Sequence, residues 1–254
     1  MNVSEMKSQN IKRPGFLTAL RAIRRLLADK EDTAQVFTIL EALGQRSSRR
    51  TWKRFSAHPD APQIMQGPTL ISMLTDRDAL QALPEGSLGR SYYEFTTREN
   101  ISADELVEAS NDGFSGTREL SDDEAAFHQR QRDAHDLWHV LTGYGRDPLG
   151  ELCLLAVSHS HLGNPGFLMI ILFGGFDVKS RQKSARIWSS IFEGFRNGRR
   201  MTWLPTVDWA EMLALPLDEV RRRLNVPDPS RYQLTRKSVL GTDSQTDTPQ
   251  MAAE

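Results

Sequence analysis

The stretch Ser121-Asp-Asp-Glu-Ala-Ala-Phe-His-Gln-Arg-Gln-Arg-Asp-Ala-His135-Asp136-Leu-Trp-His139-Val-Leu-Thr-Gly143 decides the fold. Ser121 with Glu124 three positions on forms a capping box, in which the two side chains satisfy backbone N–H groups that a helix start leaves orphaned. No breaker follows until Gly143, so the pattern predicts one helix over 121–143. Asp147-Pro148 then sets a capping carboxylate before proline at the first helical position, and predicts a second helix through Val157.

Helical periodicity continues outward from there. Phe16, Leu17, Leu20, Ile23 and Leu27 recur at helical spacing after Pro14; Val36, Phe37, Leu40 and Leu43 do so up to Gly44, a natural helix end. Ser87 to Phe95 reads as a short helix, Ser102 as the cap of another, and Ser180 to Arg199 as a long helical stretch. Pro216-Leu-Asp-Glu219 opens a last helix, ended by Asn225 and Pro227. Period-two alternation and internal repeats are both missing from the pattern. The expected fold is all-α: a single multi-helix domain over 14–226, between a disordered N-terminal segment (1–13) and a disordered, Ser/Thr/Gln/Asp/Pro-rich C-terminal tail (227–254). The run Phe167-Leu-Met-Ile-Ile-Leu-Phe-Gly-Gly-Phe176 is apolar on every side, which predicts a buried helix or the wall of an apolar lipid-binding pocket.

Composition excludes several classes. With 254 residues, 39% of them hydrophobic, the chain is long enough to bury a substantial core. A formal charge of −1 gives no general attraction for nucleic acid. The single cysteine, Cys153, rules out an internal disulfide and a Cys-rich zinc module, and reads as a buried small hydrophobe. The segment Met1 to Lys12 holds no signal-like apolar stretch, and the run 167–176 is about half the ~20 residues that would cross a bilayer. A cytoplasmic protein is expected, with peripheral contact to the inner membrane. Arg21, Arg24, Arg25 and Lys30 could supply that contact, or could simply be the solvated face of a packed helix.

At about 100° per residue, His135 and His139 face the same way one turn apart, a spacing that lets two imidazoles meet one ion at ~2.0–2.1 Å. Zinc proteases use this arrangement with Glu at the second position, where this chain has Asp136. Glu151 opens the following helix and can point back at the first. Two histidines with one or two carboxylates suit zinc, or ferrous iron in a two-His-one-carboxylate site. The same pair can also be structural histidines bonded to carbonyls or water. Arg132, at i−3 from His135 and i−4 from Asp136, shares the motif's stripe and could hold Asp136 or meet an anionic substrate. His128 is about 10 Å up the axis, too far to share the ion. His58, His159 and His161 read as structural or solvent-exposed.

His135-Asp-Leu-Trp-His139, eleven residues, then Glu151 resembles the H-D-x-x-H-x(11)-E pattern of the Coq4 family of coenzyme Q (ubiquinone) biosynthesis proteins, in a bacterial form. Leu83-Pro-Glu-Gly-Ser-Leu-Gly-Arg90 with Tyr92 is similar to that family's LPxGTLGxxY segment, with Ser87 where Thr is usual. Asn197-Gly-Arg199, Trp209 and Pro216-Leu-x-x-Val220-Arg221-x-x-Leu224 resemble its C-terminal part, whereas Ile187-Trp188 and Met201 match it loosely. The resemblance implies an all-α fold and a divalent metal, usually zinc, on His135, Asp136, His139 and Glu151. It implies a polyprenylated 4-hydroxybenzoate intermediate as ligand, with oxidative decarboxylation and hydroxylation at ring carbon C1. Asp136 and Arg132 are the expected catalytic side chains, Asp136 as ligand or general base. Other ubiquinone-biosynthesis proteins are the expected partners, and a homodimer the expected assembly. A non-catalytic lipid-binding scaffold is the alternative, and a metal-dependent hydrolase a more distant one.

Overall fold

Several helices start where the sequence offers a side-chain acceptor for orphaned N–H groups. Ser121 Oγ accepts from the Glu124 N–H at 3.3 Å, Ser87 Oγ from Arg90 at 3.2 Å, and Asp147 Oδ1 from Gly150 at 3.1 Å. The structure, a computed structural model, describes residues 15–30, 32–101, 120–183 and 186–243, the side chains of 239–243 excepted. Residues 1–13 and the Ser102 cap lie outside these. Among the described residues the fold is all-α, with one isolated β-bridge between Ser87 and Pro216. The helices are α1 (Phe16–Ala28), α2 (Ala34–Ser56), three short turns α3 (Ala61–Gln66), α4 (Leu70–Thr75) and α5 (Arg77–Ala82), then α6 (Leu88–Glu99). They continue as α7 (Asp122–Asp133), α8 (His135–Thr142), α9 (Pro148–Leu162), α10 (Pro165–Arg181), α11 (Ile187–Arg200), α12 (Trp209–Met212), α13 (Leu217–Arg223) and α14 (Ser230–Asp243).

Helix α9 runs through the middle, burying Leu149, Leu152, Cys153, Leu154, Ala156 and Val157. Helix α11 lies against it through Gly194 and Gly198, one turn apart. A Cβ at Gly194 would sit 2.5 Å from the Cys153 carbonyl oxygen, and one at Gly198 2.9 Å from Ser160 Cβ, so the approach requires glycine. On one flank α1, α2 and α10 share a small core of Ala19, Ala22, Ile23, Ile39, Ala42 and Ile170. On the other, α6, α8 and α13 bring Leu88, Tyr92, Leu137, Leu141 and Val220 into the main core.

Several expectations are corrected. The stretch 121–143 is two helices, divided at Ala134 (φ −74°, ψ −9°), which caps the end of one and the start of the next. Helix α2 continues past Gly44 because Ser47, Thr51 and Phe55 prolong its buried stripe. The stretch 180–199 spans the end of α10 and most of α11 rather than one helix. The run 167–176 is buried on one face only: Leu168, Leu172, Phe173 and Phe176 are 43%, 48%, 37% and 61% exposed. The arginine-rich α1 buries Ala19, Ala22 and Ile23 but leaves Phe16 and Leu17 exposed with Arg21, Arg24 and Arg25, while Lys30 pairs with Asp177 of α10 at 2.5 Å.

The expected C-terminal tail is, from Ser230 to Asp243, helix α14. Its polar composition hides two inward-facing residues, Tyr232 and Thr235, which are 1% and 5% exposed. The buried Glu193 carboxylate of α11 accepts from the Arg231 N–H at 2.9 and 3.1 Å and from the Tyr232 N–H at 3.1 Å, and so caps the helix from outside it. Residues 244–254 lie outside the described set. Glu193→Ala would orphan those N–H groups and is expected to lower stability by about 1–3 kcal/mol, with partial recovery in Glu193→Gln, read by chemical denaturation.

His161 of α9 is buried beside Trp138, and its Nδ1 accepts from the Leu204 N–H at 3.4 Å. Burial, assisted by Arg54, pushes its pKa down to about 4. The folded state therefore holds a neutral imidazole, and the unfolded chain takes up the proton first as pH falls below the ordinary 6.5. Stability contributed by this group should be complete above pH 6.5 and decline by about 3 kcal/mol on descent to pH 4. His161→Phe is expected to flatten that acid limb in pH-dependent denaturation, and an unchanged slope would refute the assignment.

Candidate metal centre

The motif histidines occupy the first and fifth positions of α8, so their rings stand one turn apart with centroids 4.9 Å apart and planes at 80°. Gly143 ends the helix in the left-handed region (φ 74°), which turns the chain back so that the Tyr144 carbonyl reaches His139. His139 Nδ1 lies 2.9 Å from that carbonyl oxygen. A carbonyl can only accept, so Nδ1 carries the proton and Nε2 keeps its lone pair. Phe95 stacks on the His139 ring at 5.8 Å and helps fix its plane.

The helix that follows, capped by Asp147, carries Glu151 in its first turn. Glu151 Oε1 is 3.4 Å from His139 Nε2, and Oε2 is 3.9 Å from His135 Nε2. Two donors each ~2.05 Å from a tetrahedral ion are separated by about 3.3 Å, which matches the first of these distances. His139 Nε2 is buried and has no hydrogen-bond partner. A buried lone pair facing the oxygen of a partly exposed carboxylate calls for a cation between them, either a proton or a metal ion. On that ground the residues fit a divalent metal.

Asp136 is only 8% exposed, and its Oδ1 lies 3.1 Å from His135 Nδ1. One ligand atom each from His135, Asp136 and His139 lie within 4.8 Å of one another, so Asp136 could join the ion directly. Its hydrogen bond to His135 Nδ1 instead gives it the orienting role that carboxylates take behind ligating histidines. Charges within the site support one another. Burial alone would raise the Asp136 and Glu151 carboxyls, yet the two histidines and Arg146 hold both below their ordinary range. Burial alone would lower His135, but the Asp136 hydrogen bond and charge, with Glu151, raise it.

Arg132 stands elsewhere. Its Nε and Nη2 bind Asp133 Oδ1 at 2.9 and 2.8 Å, and the division at Ala134 removes it from the stripe it would share with Asp136 in one continuous helix. The cation that acts on the site is Arg146, whose Nε is 3.9 Å from Glu151 Oε1 and whose side chain is 39% exposed. Arg146 lies in the break between the motif helices, a position the motif alone does not single out. The Tyr144 carbonyl, being backbone, has no signature in sequence. Of the other histidines, His128 pairs with Ser48 and Glu124 and His159 faces the Asn164 carbonyl, both structural roles. Cys153 is buried, and burial pushes its thiol well up. A cleft of about 350 Å³ between α3 and the 202–212 segment, lined by apolar residues such as Ile64 and Met212 as well as by Asp60, Asp208 and Glu211, shares no residue with the motif.

Similarity to known proteins extends over most of the chain. The chain matches the family model for coenzyme Q (ubiquinone) biosynthesis protein Coq4 over residues 5–230. It is similar to the mitochondrial ubiquinone biosynthesis protein COQ4 homolog of Bos taurus, 30% identical over 75% of this chain and 71% of that one. It is also similar to mitochondrial COQ4 of Yarrowia lipolytica, 28% identical over 82% and 74% of the two chains. A crystal structure of a candidate ubiquinone biosynthesis protein from Nostoc punctiforme superposes with a TM-score of 0.56, covering 82% of this chain and 96% of that one at 22% identity, which supports the fold. The motif, the match across nearly the whole chain and the shared fold together establish that the protein belongs to the Coq4 family of ubiquinone biosynthesis proteins.

Proposed function

We propose that the protein acts in ubiquinone biosynthesis as a metal-dependent enzyme that replaces the C1 carboxylate of a polyprenylated 4-hydroxybenzoate intermediate by a hydroxyl. The observation that carries this reading is the convergence of His135 Nε2, His139 Nε2 and the Glu151 carboxylate, with both Nδ1 atoms already satisfied. These three side chains would hold the ion, zinc or ferrous iron, with Asp136 orienting His135. When bound, the ion supplies a fixed positive charge at the substrate's carboxylate or phenolic oxygen.

Arg146 takes the role expected for Arg132: a half-exposed guanidinium beside the site that can bind the substrate carboxylate. In balance, an aromatic acid, water and dioxygen give a phenol, carbon dioxide and hydrogen peroxide. The C1–carboxyl bond breaks, a C1–O bond forms, and two electrons pass from the ring to dioxygen, since zinc accepts none. Glu151, held ionised by the histidines and Arg146, would serve as the anionic ligand, and the proton released when water adds its oxygen ends on the peroxide product.

A prenylated substrate resides in lipid, and the exposed face of α10 supports peripheral contact with it. Leu168, Leu172 and Phe176 form a helical stripe with Phe173 beside it, and the Phe176 ring meets Trp188 of α11 at 5.2 Å. Phe192, one turn beyond Trp188, is 69% exposed. Arg181, Lys183 and Arg186 border this face in the α10–α11 connection, the composition of a surface that lies on an anionic bilayer. No helix among the described residues is long and apolar enough to cross one.

Elemental analysis of the purified chain is expected to give near-stoichiometric zinc or iron, lost in His135→Ala and Glu151→Ala, with ubiquinone formation lost in the same variants. Metal bound by wild type but ubiquinone still formed by the variants would favour the non-catalytic scaffold instead. On the surface, Leu172→Glu with Phe176→Glu should abolish flotation with anionic liposomes at low salt. Equal flotation by wild type and variant would remove the contact from α10.

A further inference from the structure

We propose that Tyr232, on the C-terminal helix, is a positioning residue for the metal centre: its hydroxyl holds the 144–147 loop that sets His139 and Glu151. The inference rests on the metal reading above and adds a residue remote from the motif in sequence. The loop between α8 and α9 does three jobs. The Tyr144 carbonyl accepts from His139 Nδ1 at 2.9 Å, Arg146 lies 3.9 Å from Glu151, and Asp147 caps the helix that carries Glu151.

Tyr232 joins this loop at two points. Its hydroxyl donates to Asp147 Oδ2 in a close contact and accepts from the Gly145 N–H at 2.9 Å. The two Asp147 oxygens are thereby divided, Oδ1 to the Gly150 N–H and Oδ2 to Tyr232, with Arg236 3.4 Å from the latter. The Tyr232 ring also meets Tyr144 edge-on at 5.3 Å, and Tyr144 Oη accepts from Asn197 Nδ2 at 3.2 Å. Tyr232 cannot drift, because Glu193 holds its backbone N–H and Thr235 bonds Ser190 at 3.1 Å. A chain of direct bonds therefore runs from α11 through Tyr232 and the loop to the proton-bearing nitrogen of His139. Removing the hydroxyl orphans the Gly145 N–H and leaves Asp147 Oδ2 with Arg236 alone, while the ring packing stays in place.

The test is Tyr232→Phe in the full chain, with Zn²⁺ affinity measured by chelator competition and the Co²⁺ absorption spectrum as a geometric readout. Thr235→Val is the control: it loosens the same helix at Ser190 without touching the loop. Tyr232→Phe is expected to weaken Zn²⁺ binding about tenfold, the lower end of the range for groups that orient metal ligands, and to shift the Co²⁺ bands. Thr235→Val should leave both unchanged at similar thermal stability. Affinity within twofold of wild type in Tyr232→Phe, or equal losses in both variants, would overturn the positioning role. A wild-type chain that takes up no Zn²⁺ would overturn the metal reading together with this inference, whereas tight binding by wild type and Tyr232→Phe alike overturns the inference alone. Should Tyr232→Phe not fold, exchange of the Gly145 amide in wild type decides: Zn²⁺ must slow it, and an unchanged rate refutes the coupling.

Discussion

The hydrogen bond from His139 Nδ1 to the Tyr144 carbonyl ties the last turn of α8 to the loop that begins α9. It fixes a tautomer, because only the protonated nitrogen can face a carbonyl, and so leaves Nε2 as a lone pair aimed at Glu151. It also fixes a distance between two helices that would otherwise be joined by an unconstrained break. Glu151 reaches the histidines because Asp147 starts its helix four residues earlier, and Gly143 folds the chain back far enough for the carbonyl to arrive. Around this bond the site is arranged as a set of compensated charges. Two carboxylates and Arg146 surround two imidazoles, and each carboxylate stays ionised despite burial because its neighbours outweigh the desolvation.

The apolar frame serves that arrangement by holding α9 still. Gly194 and Gly198 let α11 approach the α9 backbone closely, and the buried Glu193 between them and α14 ties a third helix to the pair. Rigid elements are what a metal site needs, since ligand atoms must be held to within fractions of an ångström. The outer layer differs. Helix α10 seals the small core with Ile170 and reaches the main core with Ile171, while its opposite face leaves two phenylalanines and two leucines in solvent. A run that is apolar all round can thus be half core and half surface, and the two halves answer to different pressures.

Much of this was legible in the residues. The Ser121 cap, the Asp147-Pro148 start and the i, i+4 histidines each state a local rule that the structure obeys, and Glu151 stands beside His139 in the first turn after the break. What sequence reading missed shares a common cause: it depended on contacts between residues far apart in the chain. The division at Ala134, which takes Arg132 out of register with Asp136, occurs at a residue that is no helix breaker. Arg146 becomes the local cation through the loop's path, and a carbonyl partner such as Tyr144 cannot be read from side-chain types. Helix α14 was hidden because its polar composition is that of a disordered segment, and its order comes from Glu193, thirty-eight residues before Arg231. The Phe167–Phe176 run misled in the opposite sense, since hydropathy alone cannot tell a core face from an exposed one.

The placement of α14 bears on how the protein matures. A ribosome makes the histidines and Glu151 early and the helix bearing Tyr232 some eighty residues later. Until α14 emerges and docks beneath Glu193, a nascent chain carries His135, His139 and Glu151 but not the hydroxyl that steadies the loop between their helices. The loop between α8 and α9 therefore reaches its final form only after a helix some eighty residues downstream has been made and packed.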